Sequence, residues 1–515
     1  MNDSLSHPMG EPKSMELELV PVAGPVAVDT FGGRVHVEWD AQAAVTPLGQ
    51  LPFFIEFLQV SGRFDPWVES CPLVLKSPNA PSKRDVLGTA LLSILCGHRR
   101  YAHISALRGD NLNAPLLGME GVVSEDSVRR NLGKIDEAEG VKWLQAHLDG
   151  CVAPVLGIPW ILDVDVTVKP LYGHQQGAVK GYNPHKPGRP SHTYHTYFIA
   201  KLRLVLDVEA QAGNQSASAY SSPGLWELLG RLPRAHWPVC IRGDRDWGTQ
   251  ANMARAEQEG VGYLFKLRLT SGVKKTIERL MRRAEWCDAG QGWQGAQTSL
   301  RLSGWSRSRR AIVLRRRLQA DLAVVDAGDP QQLRLGFAEL TDEVVVYEYA
   351  VLITSLGYEI LTIAQLYRDR GDAENPFDEL KNHWGWGGFT TQDLKRCRLM
   401  ARITALTYNW WSLFVRLANP HQHTEAITSR PLLLHAPARL TRHGGQTRIT
   451  ITHPHAEAPW VERVCREIAA FFKTLRQTAE QFNPLLRWYR VLSRALVRYL
   501  HGRELHPPDA LPVPA

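Results

Sequence analysis

Two aspartates interrupt an otherwise apolar run, Ile161-Leu162-Asp163-Val164-Asp165-Val166-Thr167. Strand side chains alternate between faces, so Asp163 and Asp165 point the same way. A charge on a buried strand face is costly unless it is paired or bound to metal; a solvated sheet edge is the competing reading. Asp244 follows the run Pro238-Val239-Cys240-Ile241 at a strand's carboxyl end, where open α/β sheets gather their ligands. In isolation that segment reads equally well as a strand-to-helix turn, with Asp246 or Thr249 capping the next helix. Further on, Tyr367, Arg370, Glu374 and Lys381 follow the spacing Y-x2-R-x3-E-x6-K, which keeps them within about 60° of one another on a continuous helix. An aromatic, two cations and one acid do not make a core stripe, although an i,i+4 pair of Arg370 with Glu374 on a solvated helix is the plain alternative. Carboxylates converging from separate elements are what two-metal phosphodiester transfer requires, and a hard cation such as Mg²⁺ selects oxygen ligands.

The elements that must carry these residues follow from periodicity. Alternation predicts strands over 155–168, 195–200 and 202–210, followed by a helix capped by Ser222 with Pro223 at its first position. A strand (237–244), a helix (249–260) and a strand (261–269) complete the order β-β-β-α-β-α-β, the order an RNase H-like sheet requires. Short strands rich in aromatics and arginines fill 270–360, helices are expected over 361–384 and 393–417, and a hairpin over 438–452 turns at Gly444-Gly445. Two helices follow from 460 to about 501. Before the core, residues 1–25 are Pro-rich and expected to fray. Between 26 and 150 a strand-like run (33–39) accompanies helices over 85–107 and from Ser124, an N-cap. These basic-ended helices suit a DNA groove or simple packing equally.

The organisation expected is α/β: an RNase H-like catalytic core (151–269 and 361–392) with a β-rich insertion (270–360). A mainly helical N-terminal region (1–150), a candidate for DNA-end binding, and a C-terminal helical region (393–515), a candidate for dimerisation, flank it.

Sixty Lys and Arg against 52 Asp and Glu give a net charge of +8, which favours a polyanionic partner without naming one. Hydrophobic residues at 44% allow an ordinary core. Seven scattered cysteines lack metal-ligand spacing, favouring reduced thiols. No signal peptide and no membrane-length apolar window are evident, so an intracellular protein with no membrane partner is expected. Lys180, Lys186 and Arg189 sit among glycines, prolines and Tyr182, a composition suited to tracking phosphates. His174, His185, His192 and His195 have no cysteine partner nearby, which disfavours zinc. Trp293 and Trp305, among arginines, could stack an extruded base but are as readily packed.

The Y-x2-R-x3-E-x6-K spacing, the block at 162–192 and Arg242-Gly-Asp-Arg-Asp-Trp-Gly248 together resemble, in order, the motifs of bacterial insertion-sequence DDE transposases. The resemblance runs from about 160 to 400. It implies an RNase H-like core whose Asp165, Asp244 and Glu374 are both catalytic and metal-binding, with Mg²⁺ as cofactor and Mn²⁺ as substitute. Asp165 is preferred over Asp163 because the first motif of that family reads Asp-x-Thr. Also implied are DNA contacts by Tyr367, Arg370, Lys381, Lys180, Lys186 and Arg189, and cleavage at element ends with joining of 3′-OH ends to target DNA. Double-stranded DNA as partner, a homodimer on DNA and a cytoplasmic, nucleoid-associated location in a bacterium follow. A catalytically inactive DNA-binding relic and another RNase H-like nuclease are the alternatives; the basic charge disfavours a glycosidase. One departure from the family pattern is Pro376, which kinks the signature helix or starts a new one.

Overall fold

The computed structural model describes residues 24–40, 43–183, 186–216, 220–282, 285–318, 337–339, 345–477 and 483–507, with the backbone alone at 337–339, 345 and 372–374. Most of the segment expected to fray, 1–23, lies outside the described residues, as do 319–336 and 340–344 of the β-rich stretch. Two compact units are distinguished, Met1–Ala44 and Val45–Ala515. In the first, β1 (Val26–Thr30) and β2 (Gly33–Val37) form an antiparallel hairpin with Val26 opposite Val37 and Val28 opposite Val35.

The second unit opens with β3 (Val45–Thr46) and the helices α1 (Leu51–Ser61), α2 (Phe64–Glu69), α3 (Lys83–Leu95), α4 (Asn113–Leu116), α5 (Glu125–Lys134) and α6 (Glu137–Leu156). Ser124 accepts the Ser127 amide, capping α5. The helix expected over 85–107 stops at Leu95, because Gly97 adopts φ 74° and the chain resumes as a 3₁₀ turn at Tyr101–Leu107. Next come β4 (Ile161–Pro170), β5 (Val179–Lys180), β6 (Pro190–Ile199), β7 (Leu204–Ala212), α7 (Ser222–Arg231), β8 (Cys240–Gly243), α8 (Gln250–Gln258), β9 (Gly262–Lys266) and α9 (Ser271–Met281). Ser221, not Ser222, is the N-cap residue of α7, and its hydroxyl hydrogen-bonds the His195 ring rather than the helix.

The β-rich stretch supplies β10 (Cys287–Gly290), β11 (Trp293–Leu300), β12 (Arg309–Arg317), β13 (Phe337–Glu339) and β14 (Val345–Thr354). The chain ends through α10 (Ile360–Arg368), α11 (Glu374–Asn382), α12 (Leu394–Ala418), α13 (Ala426–Leu433), β15 (Ala438–His443), β16 (Gln446–Ile451), α14 (Ala458–Gln477) and α15 (Pro484–Ala495).

One mixed sheet organises the unit. The strands β7, β6 and β4 are antiparallel neighbours, and β8 and then β9 extend the sheet in parallel with β4. The stretch after 270 does not build a separate sheet: β14 pairs antiparallel with β9, and β12, β11 and β10 follow in turn. At the opposite margin the long helix α12 lies on β7. Its Asn409 accepts the Val205 amide at 2.9 Å and donates to the Val205 carbonyl at 2.7 Å, while Arg398 donates to the Ala210 carbonyl. One face of the central strands (Leu162, Val164, Ile241, Tyr263, Phe265) joins the main core, and the other (Cys240, Leu264, Ile312, Leu352) is covered by Ile363 and Ala364 of α10.

Candidate active site

Parallel pairing of β4 with β8 sets Asp163 opposite Arg242. Two residues further along each chain, the same side-chain face reaches Asp165, in the middle of β4, and Asp244, just past the carboxyl end of β8, about 5 Å apart in the pairing direction. Lys266 ends β9, the next parallel strand, at the same level. Sequence reasoning missed Lys266, although a lysine interrupting the run Tyr263-Leu264-Phe265 is the same kind of signal that marked the aspartates.

Asp163 and Asp165 share a face and differ in environment. Asp163 accepts two hydrogen bonds from Arg242, Nε and Nη2, each at 2.6 Å, with both side chains almost fully buried. Arg242 also donates to the Leu366 carbonyl near the end of α10. A bidentate pair of this kind satisfies both groups and fastens β4 and β8 to the helix that leads to Tyr367 and Arg370. Asp165 is more open, its side chain 18% exposed, and its Oδ2 takes a 2.5 Å contact from Arg370 Nη2. Thr167, two residues on, is buried.

The signature segment departs from the single helix expected over 361–384. It is α10, a 3₁₀ turn at Asp369–Ala373, and a new helix α11 whose backbone begins at Glu374. Pro376 falls in the first turn of α11, where its missing N–H has no intrahelical carbonyl to lose. The single-face arithmetic linking Tyr367 to Lys381 therefore does not apply, yet both ends stay near the site. Tyr367, half-buried, and Asp165 act electrostatically on Arg370, and Asp165 acts on Lys381. The Glu374 side chain lies outside the described residues.

Charges around the acids are mutually adjusted. Burial and then the neighbouring Asp165 carboxylate raise the Asp244 pKa above the usual carboxylate range, against Arg370. Burial alone would lower the Arg370 pKa, but the carboxylates, Asp165 first, hold this guanidinium firmly protonated. Lys266 and Lys381 are both lowered, chiefly by burial. Two facing carboxylates, crowded and answered by one buried guanidinium whose Nε has no hydrogen-bond partner among the described residues, form an all-oxygen donor pair suited to a hard divalent cation. Among the described residues no cluster of three or more His, Cys, Asp or Glu side chains is placed to hold a metal ion.

The remaining residues singled out in the sequence divide. Lys180 is exposed on β5, and Lys186 and Arg189 both lie over the exposed Tyr172 ring, at 5.0 and 4.6 Å, with Lys186 also bonded to its hydroxyl. Tyr182 of the same loop accepts a 3.4 Å bond from Arg245, beside Asp244. His192 bonds the Gln176 carbonyl and His195 sits between Thr193 and Ser221, both fully buried, while His185 lies outside the described residues. Trp305 is buried, which removes it as an exposed stacking platform; Trp293 is half-buried beneath Arg316.

A family model described as "Transposase DDE domain group 1" matches residues 79–472. Among solved structures, the cryo-EM structure of a piggyBac transposase synaptic complex with hairpin DNA aligns at 10% identity, over 91% of this chain and 89% of that one, with a TM-score of 0.38. No curated protein matches.

Proposed function

Given that the chain belongs to the group 1 DDE-domain transposases, we propose that it cleaves DNA at the ends of a mobile element and joins the resulting 3′-OH ends to target DNA by two-metal phosphodiester transfer. The observation that carries this reading is the emergence of Asp165 and Asp244 side by side from adjacent parallel strands. The strand order β7-β6-β4-β8-β9, antiparallel for the first three and parallel for the rest, supports an RNase H-like core over 151–269 and 361–392. In this scheme 270–360 is an insertion, 1–150 contacts DNA ends and 393–515 serves dimerisation.

Asp165, Asp244 and Glu374 are the residues proposed to hold Mg²⁺, or Mn²⁺ in its place. Bound there, the ions would activate the attacking oxygen and stabilise the leaving one. The protein's own part is positional. Asp163 and Arg242 lock the strands that present the two aspartates. Arg370 neutralises Asp165 in the absence of metal, and its guanidinium is then free to exchange that carboxylate for a phosphate. Tyr367, Lys381, Lys180, Lys186 and Arg189 line the approach of the DNA backbone. No described helix is long and apolar enough to cross a membrane.

The test is strand cleavage on element-end duplexes with Mg²⁺ or with chelator. Asp165→Asn and Asp244→Asn should each abolish cutting while DNA binding persists. Cutting that survives chelation, or survives either substitution, overturns the assignment.

A further inference from the structure

Residues 438–451 form a two-stranded ribbon that the active site does not use. β15 and β16 pair from Ala438↔Ile451 to His443↔Gln446, and the turn is Gly444-Gly445 with φ 56° and 75°. Positive φ at both central positions is the type I′ geometry that tightens a hairpin with the natural strand twist. Only the base is fastened: Ala438 and Arg439 pair with β3, and the Thr452 amide reaches the Pro437 carbonyl. From Thr441 to Arg448 every residue is exposed. Six residues of strand give the ribbon a reach of about 20 Å.

Its chemistry is one-sided. From Arg430 to Ala456 the chain contains no Asp or Glu. The register puts Arg439, Thr441, His443, Gln446, Arg448 and Thr450 on one face, and Arg442 on the other, beyond Leu440 and Ile449. Among the described residues, none of Arg439, Arg442 and Arg448 forms an ion pair, whereas most arginines elsewhere in this unit do or bond a carbonyl. Three exposed cations on an isolated ribbon repel one another slightly and gain nothing within the fold, so their favourable partner is external and anionic.

We propose that the β15–β16 ribbon is a second DNA-binding element, entering a groove of duplex DNA with Arg439 and Arg448 on phosphates of one wall and Arg442 on the other. A major groove about 12 Å wide admits a two-stranded ribbon, and the threonine, glutamine and histidine side chains between the arginines supply hydrogen-bonding groups without any negative charge. The choice of DNA over another polyanion rests on the transposase reading; the external anionic partner rests on the ribbon alone.

The experiment is fluorescence anisotropy of the full chain on a random-sequence duplex, an element-end duplex and a single-stranded RNA of equal length, across a salt series. The variant is Arg439→Gln/Arg442→Gln/Arg448→Gln, with Arg466→Gln, an exposed arginine of α14 paired with Glu462, as the control. The triple variant should keep the wild-type melting temperature, because the three side chains are exposed. It should lose affinity for both duplexes, and its log affinity against log salt slope should fall by about three units, roughly one per arginine. Arg466→Gln should keep the wild-type slope. An unchanged slope in a folded triple variant overturns the proposal, as does a loss confined to RNA. Loss of the slope in the triple variant of a protein that never cuts would leave the ribbon standing and sink the transposase reading instead. Should the triple variant fold poorly, hydroxyl-radical footprints of Arg448→Gln alone decide: retention of the whole wild-type footprint overturns the proposal.

Discussion

Replacing Asp163 by Asn tests whether it is Asp163 or Asp165 that serves the proposed metal site. The Asp163–Arg242 pair is bidentate at 2.6 Å, with side-chain exposures of 4% and 1%. Removing the negative charge leaves a buried guanidinium facing a neutral amide, a change that costs about 3–5 kcal/mol for fully uncompensated pairs. Asparagine keeps one carbonyl acceptor for Nε or Nη2, and Arg242 keeps the Leu366 carbonyl, so the lower end, about 3 kcal/mol, is expected. With an unfolding entropy of about 2.1 cal/mol/K per residue, the unit Val45–Ala515 loses stability at roughly 1 °C per kcal/mol, and Tm should fall by about 3 °C. Asp165→Asn weakens the ion pair to Arg370 at the more open site and should move Tm less while abolishing cleavage. Combining Asp163→Asn with Arg242→Gln removes both charges and should cost clearly less than the sum of the single changes, because the two residues touch. The assays are thermal unfolding and strand cleavage on the same preparations. Asp163→Asn with unchanged Tm, intact DNA binding and no cleavage would refute the assignment and make Asp163 the metal ligand.

Two further outcomes follow from the site and its surroundings. Lys381→Ala and Arg370→Ala should each weaken duplex affinity regardless of sequence and lower the salt slope by about one unit; unchanged slopes would mean that both cations serve only the fold. Lys169, buried on the active-site strand with Nζ donating to the Gly388 carbonyl and Tyr194, has its ammonium pKa lowered by burial to about 8. The unfolded chain then binds more protons between about pH 8 and the unperturbed 10.5, so stability rises with pH across that window, and the charged lysine costs on the order of 3 kcal/mol below it. Urea unfolding of Lys169→Met against wild type should lack this slope; parallel curves would refute it.

What the sequence disclosed was local. The acids at 163, 165 and 244 stood out because each interrupts or ends an apolar run, and Gly444-Gly445 announced its hairpin through the φ values that only such residues adopt freely. The central strands were legible as separate elements, since each strand carries its own pattern, but their pairing was not, and neither were partners distant in sequence. Arg242 lies 79 residues from Asp163, and nothing near either residue betrays the pair. The continuation of the sheet from β9 into β14 is likewise a pairing between segments separated by the whole β-rich stretch, so composition could identify strands there without saying which sheet they join. The break before Glu374 was half visible: Pro376 marked a disruption, but not the 3₁₀ turn at Asp369–Ala373 that moves the new helix start onto the acid itself. Lys266 escaped notice because lysine at a strand end is common, and only the register across β4, β8 and β9 gives it a place.

The side chains that α12 lays along β7 bear on how the protein meets other copies of itself. A marginal strand ordinarily offers a row of amides and carbonyls on which a foreign strand can template. At Val205 both groups are already taken by one asparagine, and the Ala210 carbonyl by Arg398. At the far margin, β10 is four residues long and packs against α10. Among the described residues, the sheet is thus met along β7 by a helix that imitates a neighbouring strand and ends at β10 in a strand too short to recruit one. Asn409→Leu would preserve helix and bulk but leave the Val205 amide and carbonyl buried without partners, a loss that falls on stability.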